Sequence, residues 1–150
     1  MKTNLKIILS SSLLFLGCSG TVPQLGVEAG KLKKCPESPN CVNSQAKDEE
    51  HSIEPIVLTG SPQVVKDVLE SSINSFGNAK IIFSDSSYIR AEFTSSLFRF
   101  VDDVEFYFPT TDVDETTVHF RSASRLGHSD LGVNRERIEK IRTTCESLKK

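Results

Sequence analysis

The apolar positions of this 150-residue chain change their spacing several times, and each change marks an element. An unbroken apolar or small run, Ile7 to Gly17, comes first, and a stretch without periodicity follows it, residues 19–34, with Gly20, Pro23, Gly26 and Gly30. Residues 35–52 read as an irregular, turn-rich lead-in. Ile53 to Leu58 predicts a short strand, placed at an edge because Pro55 has no N–H to give a ladder. Ser61 then offers an N-cap and Pro62 fits the first helical position. Val64, Val65, Val68, Leu69, Ile73 and Phe76 follow at helical spacing, and Gly77 supplies a stop.

Beyond Gly77 the period becomes two. Ala79–Phe83, Tyr88–Ser95, Phe98–Phe108 and Thr116–Ser124 predict four strands, separated by polar turns at residues 84–87 and 110–114. A glycine-bearing loop from Arg125 to Val133 leads into a helix over Asn134–Leu148, with Ile138, Ile141, Cys145 and Leu148 on one face. Short connections between successive strands imply antiparallel pairing, and two one-sided helices imply a covered face. The expected class is α+β: an antiparallel four- to five-stranded sheet with two helices packed on one face, the other face exposed and charged.

The first run has its own meaning. Lys2 and Lys6 precede it, and eleven residues rise only about 16 Å as a helix, too short for a bilayer core of about 30 Å. A basic start, a short apolar core and a small residue at the cut describe a secretory signal. Leu14-Phe15-Leu16-Gly17-Cys18 resembles a bacterial lipobox, with Phe15 where leucine is usual and Leu16 where a small residue is usual. The expected organisation is a signal over residues 1–17, an acylated Cys18, a flexible tether over 18–34 and a single domain over 35–150. Ser19 after the cysteine points, in a diderm host, to the outer membrane, with the domain facing the periplasm.

Composition narrows the partners. Without residues 1–17 the chain carries 16 Lys and Arg against 20 Asp and Glu, so no basic stripe invites nucleic acid. Cys35 and Cys41 bracket a turn-forming segment with two prolines, and in an oxidising compartment they can close a small loop worth about 2 kcal/mol. Metal binding is the rival, but two cysteines six apart without further ligands make a poor zinc site, and no metal or cofactor is indicated. Cys145, on the packed helix face, is expected to be a buried thiol.

Between Ile81 and Glu139 the chain uses six arginines and no lysine, while the remainder uses eleven lysines and one arginine. The planar fork of arginine is favoured where a carboxylate or phosphate must be held in fixed geometry. Strand alternation points Ile89, Ala91, Phe93, Val104, Phe106, Phe108, Val118 and Phe120 to the core. Arg90, Glu92, Arg99, Asp103, Glu105, His119 and Arg121 then share the other face, with Arg125 if the strand runs so far. A one-residue slip would undo this assignment, and a bulge near Val101-Asp102 is one place for it. The loop through Ser129, Asp130, Asn134 and Arg135 ends at a helix start, where backbone N–H groups suit an anion.

Four motifs in order resemble the signatures of domain-of-unknown-function family 1499. They are Cys35-Pro-Glu-Ser-Pro-Asn-Cys41-Val42, Phe100-Val-Asp-Asp-Val-Glu-Phe106, Arg121-Ser-Ala-Ser-Arg125 and Ser129-Asp-Leu-Gly-Val-Asn-Arg135 with Arg137. The resemblance covers about residues 35–143. It supports the domain boundaries and the weight on these residues, and it brings no activity.

The expected function is a non-catalytic module in which Arg90, Arg99, Arg121, Arg125 and Arg135 grip an anionic small molecule or protein group, oriented by Asp102, Asp103 and Glu105. A self-satisfied lattice of cross-strand ion pairs is the structural alternative, each exposed pair worth well under about 1 kcal/mol. An envelope enzyme is a second alternative, with Glu92, Asp103, Glu105 and His119 as acid, base or metal ligands. No nucleophile elbow, P-loop or His-Glu-x-x-His motif supports it, and arginines among the carboxylates would depress their pKa values. A third is a protein-interaction role for Leu97, Phe98 and Phe100, for which packing into the core is the favoured expectation.

Overall fold

The computed structural model describes residues 19–109 and 114–148. A hairpin of two short strands, β1 (Val27–Glu28) and β2 (Lys31–Leu32), precedes a six-stranded antiparallel sheet. The sheet is built from β3 (Cys41–Asn43), β4 (Ile56–Thr59), β5 (Ala79–Ser84), β6 (Tyr88–Thr94), β7 (Val101–Tyr107) and β8 (Glu115–Ser124). Two helices complete the domain, α1 (Pro62–Asn74) and α2 (Val133–Leu148). The strand order is β3-β8-β7-β6-β5, and β4 shares the outer edge of β8 with β3, end to end. Among the described residues no helix is long and apolar enough to cross a membrane.

Alternation sets the core. Ile89, Ala91, Phe93, Val104, Phe106, Val118 and Phe120 are buried in one cluster with Val65, Leu69 and Ile73 of α1 and Ile138, Ile141 and Cys145 of α2. The register between β6, β7 and β8 is continuous, and the irregularity lies instead in β5, between Ile81 and Phe83. Cys35 and Cys41 form a disulfide, which carries the chain into β3.

Several expectations change. The sheet has six strands, because Cys41–Asn43, expected in an irregular lead-in, pairs with Arg121–Ala123 of β8. Helix α1 starts at Pro62 without a side-chain bond from Ser61, and it stops at Asn74, before Gly77. Val64 and Leu148 lie outside the packed faces and are exposed. β7 starts at Val101, so residues 96–98 form a turn, and Leu97, Phe98 and Phe100 stand in solvent instead of the core.

The largest correction concerns the segment expected to be a tether. Its second half folds back as the β1–β2 hairpin, with Ala29 and Gly30 both at positive φ in the two-residue turn that such hairpins favour. Leu32 is buried, and its N–H is held by the Gln45 side chain. The Gly26 N–H reaches Glu105 Oε1 at 2.9 Å, and a Cβ on Gly30 would lie 3.9 Å from the Tyr107 hydroxyl. This strap crosses the polar face of β7, so that face is covered rather than exposed.

Phe106 lies at the centre of the core. Phe106→Ala should cost about 3–5 kcal/mol in urea unfolding, whereas Ile82→Ala, at an exposed position of β5, should cost under about 0.5 kcal/mol.

Candidate functional site

Successive residues of a strand point to opposite faces, so Asp102 and Asp103 of β7 serve different clusters. Asp103 belongs to the face under the strap, where register aligns it with Glu92 of β6 and aligns Glu105 with Arg90 and Arg121. Asp103 and Glu105 are 1% and 0% exposed, far below what a solvated sheet face would show.

Two halves of this face differ in how well their groups are satisfied. In one half Arg125 lies flat on Asp103, Nε to Oδ2 at 2.7 Å and Nη2 to Oδ1 at 2.8 Å, and its Nη2 also bonds Glu92. Arg90 Nη2 donates to the same Asp103 oxygen at 2.8 Å. Burial works to raise the Asp103 pKa, but the two guanidinium groups outweigh it and hold the carboxyl below its ordinary value. The hydrogen bonds to Asp103 raise the Arg125 pKa in turn.

The other half is underfilled. Glu105 Oε1 accepts from the Tyr88 hydroxyl at 2.7 Å and from the Gly26 N–H, but its Oε2 has no hydrogen bond among the described residues. Arg121 Nη1 stands 3.7 Å from that oxygen, and Arg121 Nε and Nη1 and Arg90 Nε are buried without acceptors among the described residues. Burial dominates here: it raises the Glu105 pKa despite Tyr88 and the arginines, and lowers that of Arg121. The expectation that arginines depress every carboxylate on this face therefore fails at Glu105. A cleft of about 460 Å³ opens beside the strap, lined by Leu25, Val27, Phe83, Tyr88 and Arg90 among others.

Asp102 faces the helices. Its Oδ2 receives Arg137 Nη2 at 2.5 Å, while Arg137 Nη1 bonds Ser122 Oγ and Asn134 Oδ1 and its guanidinium lies 4.8 Å over the Phe93 ring. Asn134, fully buried, reaches the Asn40 carbonyl, Ser124 Oγ and Asp130. Asp130 also accepts the N–H groups of Gly132 and Asn134, so the chain's own carboxylate occupies the helix start that was expected to receive an anion. Ser129 Oγ accepts the Leu131 N–H. This second cluster is a clamp that ties the head of α2 to β7 and β8.

The remaining candidates lie elsewhere. Arg135 grips the carbonyls of Ser52 and Glu50, and Arg142, not singled out in the sequence, grips those of Pro55 and Glu54. Arg99 sits in the exposed turn after β6, not on the strand, and makes no ion pair among the described residues. His119 stacks on Tyr107, with Nδ1 at 3.4 Å from Ser44 Oγ, and burial lowers its pKa. Among the described residues no three His, Cys, Asp or Glu side chains group as metal ligands. Cys18 lies outside the described residues. Tyr88 and Gly26 are the site residues that sequence reasoning missed; Tyr88 shares the alternation of Arg90 and Glu92, whereas nothing in the pattern marked Gly26.

The two halves should respond differently to truncation. Arg125→Ala leaves the buried Asp103 Oδ2 without its donor and should cost about 3 kcal/mol in urea unfolding, while Arg121→Ala, which removes no hydrogen bond, should cost under about 1 kcal/mol. A carboxyl with a raised folded pKa binds its proton more tightly folded than unfolded. Its contribution to stability is complete at low pH and is lost as pH rises from about 4.5 through the raised value. Glu105→Gln, which cannot ionise, should therefore gain in Tm relative to the parent chain between pH 4.5 and neutrality. A Tm difference independent of pH would contradict this.

In comparisons with solved structures, TTHA0849 from Thermus thermophilus is similar at 8% identity and a TM-score of 0.37, covering 73% of this chain and 99% of that one. No curated protein matches the chain. The protein-family model described as a protein of unknown function, DUF1499, matches residues 31–144, and with that match the chain belongs to the DUF1499 family.

Proposed function

We propose that this protein is a lipid-anchored component of the cell envelope whose domain is a non-catalytic module binding a small anion, or an anionic group of a partner, beside Arg121, Arg90 and Glu105. The observation that carries the reading is the set of buried polar atoms without partners among the described residues: Arg121 Nε and Nη1, Arg90 Nε and Glu105 Oε2. Each such group costs about 1–3 kcal/mol when left unsatisfied, and a phosphate or carboxylate oxygen would satisfy several at once. Burial raises the Glu105 pKa and so weakens the hold of its carboxylate on the Arg121 charge, which suits an incoming anion. The cleft beside the strap, lined by Tyr88 and Arg90, supports a route inward.

The enzymatic alternative gains nothing from the geometry. Asp103 is locked between two guanidinium groups and is held ionised, and among the described residues His119 meets Ser44 and Tyr107 rather than a carboxylate. Anchoring is supported by the basic start, the short apolar run and Cys18. Serine at position 19 supports the outer membrane of a diderm host, with the domain facing the periplasm.

The test is titration of the full chain, purified from an oxidising compartment, with inorganic phosphate and with succinate, read by amide chemical shifts. Shifts at Tyr88, Arg90 and Arg121 are expected with one of the two anions. Arg121→Ala should abolish them with the fold retained, and Arg99→Ala should preserve them. No shift with either anion, together with an anion-free native mass, would make the face a purely structural lattice.

A further inference from the structure

One end of the sheet carries a group of apolar side chains that stay exposed among the described residues. β6 finishes there, β7 begins there and β8 finishes there. The turn between β6 and β7 presents Leu97, Phe98 and Phe100 at 78%, 64% and 44% exposure, with the two phenylalanine rings stacked at 5.6 Å. This turn is built, not frayed. The Ser95 N–H donates to the Phe100 carbonyl at 2.8 Å, the Phe100 N–H returns to Ser95 Oγ at 2.9 Å, and Arg99 takes a left-handed conformation with φ of 59°. Left-handed backbone is unfavourable for a non-glycine residue, so the outward display of these rings is held by structure at a cost.

The same end gathers more of the kind. Leu126 follows β8, and Leu131, 92% exposed, stands just before α2, whose head is fastened to Asp102 at the start of β7. Arg99 adds a cation without a carboxylate partner among the described residues, while the acids of this end, Asp102, Asp103 and Asp130, are all engaged. The described chain also begins here. A Cβ on Gly20 would lie 2.9 Å from Arg125 Cβ and 3.1 Å from Leu126 Cγ, so the segment leading back to Cys18 leaves the domain at this end.

We propose that this end of the domain is seated on a lipid bilayer. Leu97, Phe98 and Phe100 enter the interfacial layer, and Arg99 meets anionic headgroups beside the point where the anchored N-terminus enters. Aromatic side chains flanking a cation suit the headgroup boundary. A bilayer is favoured over a protein partner because the chain's own exit brings the turn to the membrane. This seating rests on the anchoring reading above, and it adds an orientation: the long axis of the strands points away from the membrane, with the β5–β6 hairpin farthest from it.

The chain has no tryptophan, so Phe98→Trp introduces a single reporter, and Phe83→Trp, exposed at the opposite end, is its control. Each full-length variant, purified in detergent, is reconstituted into vesicles of phosphatidylethanolamine and phosphatidylglycerol containing brominated acyl chains. Flotation reads the anchor and fluorescence quenching reads the seating. The expected result is flotation of both variants, with quenching at position 98 about threefold or more above that at position 83. Flotation with equal quenching at both positions overturns the seating and leaves the anchor standing. Failure to float, with no acyl mass on the chain, overturns the anchor and the seating with it. Lipid-free dimers that dissociate on Phe98→Ser would instead assign the patch to a second copy and overturn the bilayer as its occupant.

Discussion

Two adjacent carboxylates on the central strand hold this domain together across its thickness. Asp102 and Asp103 point to opposite faces of β7, and each is sheltered and committed to arginine: Asp102 to Arg137 on the helical side, Asp103 to Arg90 and Arg125 on the strap side. A buried carboxylate tolerates its loss of water only when charge and hydrogen bonds replace it, so these pairings fix where α2, β6 and the end of β8 must lie. Shifting β7 by one residue would exchange the two aspartates and strand both. The apolar core supplies the bulk of the cohesion, while this pair sets the register in which it packs.

The lysine-free block takes its meaning from that constraint. Four of its six guanidinium groups meet acceptors: Arg90 and Arg125 face carboxylates under the strap, Arg137 faces Asp102, and Arg135 faces backbone carbonyls. Three of these, Arg125, Arg135 and Arg137, each bond more than one acceptor through the planar fork, which a single ammonium point charge does not reproduce. Arg121 is the exception, close to Glu105 without the geometry of a bond. That contrast, a filled half beside an underfilled half on one face, is what separates a candidate site from a scaffold here.

Much of this was legible in the chain because period-two alternation is robust. It placed Phe93, Phe106 and Phe120 inside and Arg90, Asp103, Glu105 and Arg121 together on the far side. Alternation assigns a side, however, and says nothing of what covers it. The strap uses strands of two residues each, too short to show a period, and its key contact with Glu105 comes from the backbone of Gly26, which leaves no side-chain signature. The expected site sets Asp102 beside Asp103 and Glu105 as an orienting carboxylate, whereas its parity sends it to Arg137 under the helices. The apolarity of Leu97, Phe98 and Phe100 favours the core, whereas a left-handed Arg99 turns them out.

The Cys35–Cys41 bond has a mechanical side. A pull on the chain from its N-terminal direction first meets the two-residue ladder of the strap, a weak element that peels one bond at a time. It next reaches the disulfide, which carries tension directly from Cys35 to Cys41 and leaves residues 36–40 slack. The load then enters β3 along its length, where the bonds to Arg121–Ala123 resist together in shear. The covalent bridge thus works as a tow point, shielding the turn beside it and delivering force through β3 to β8, which is paired along both of its edges.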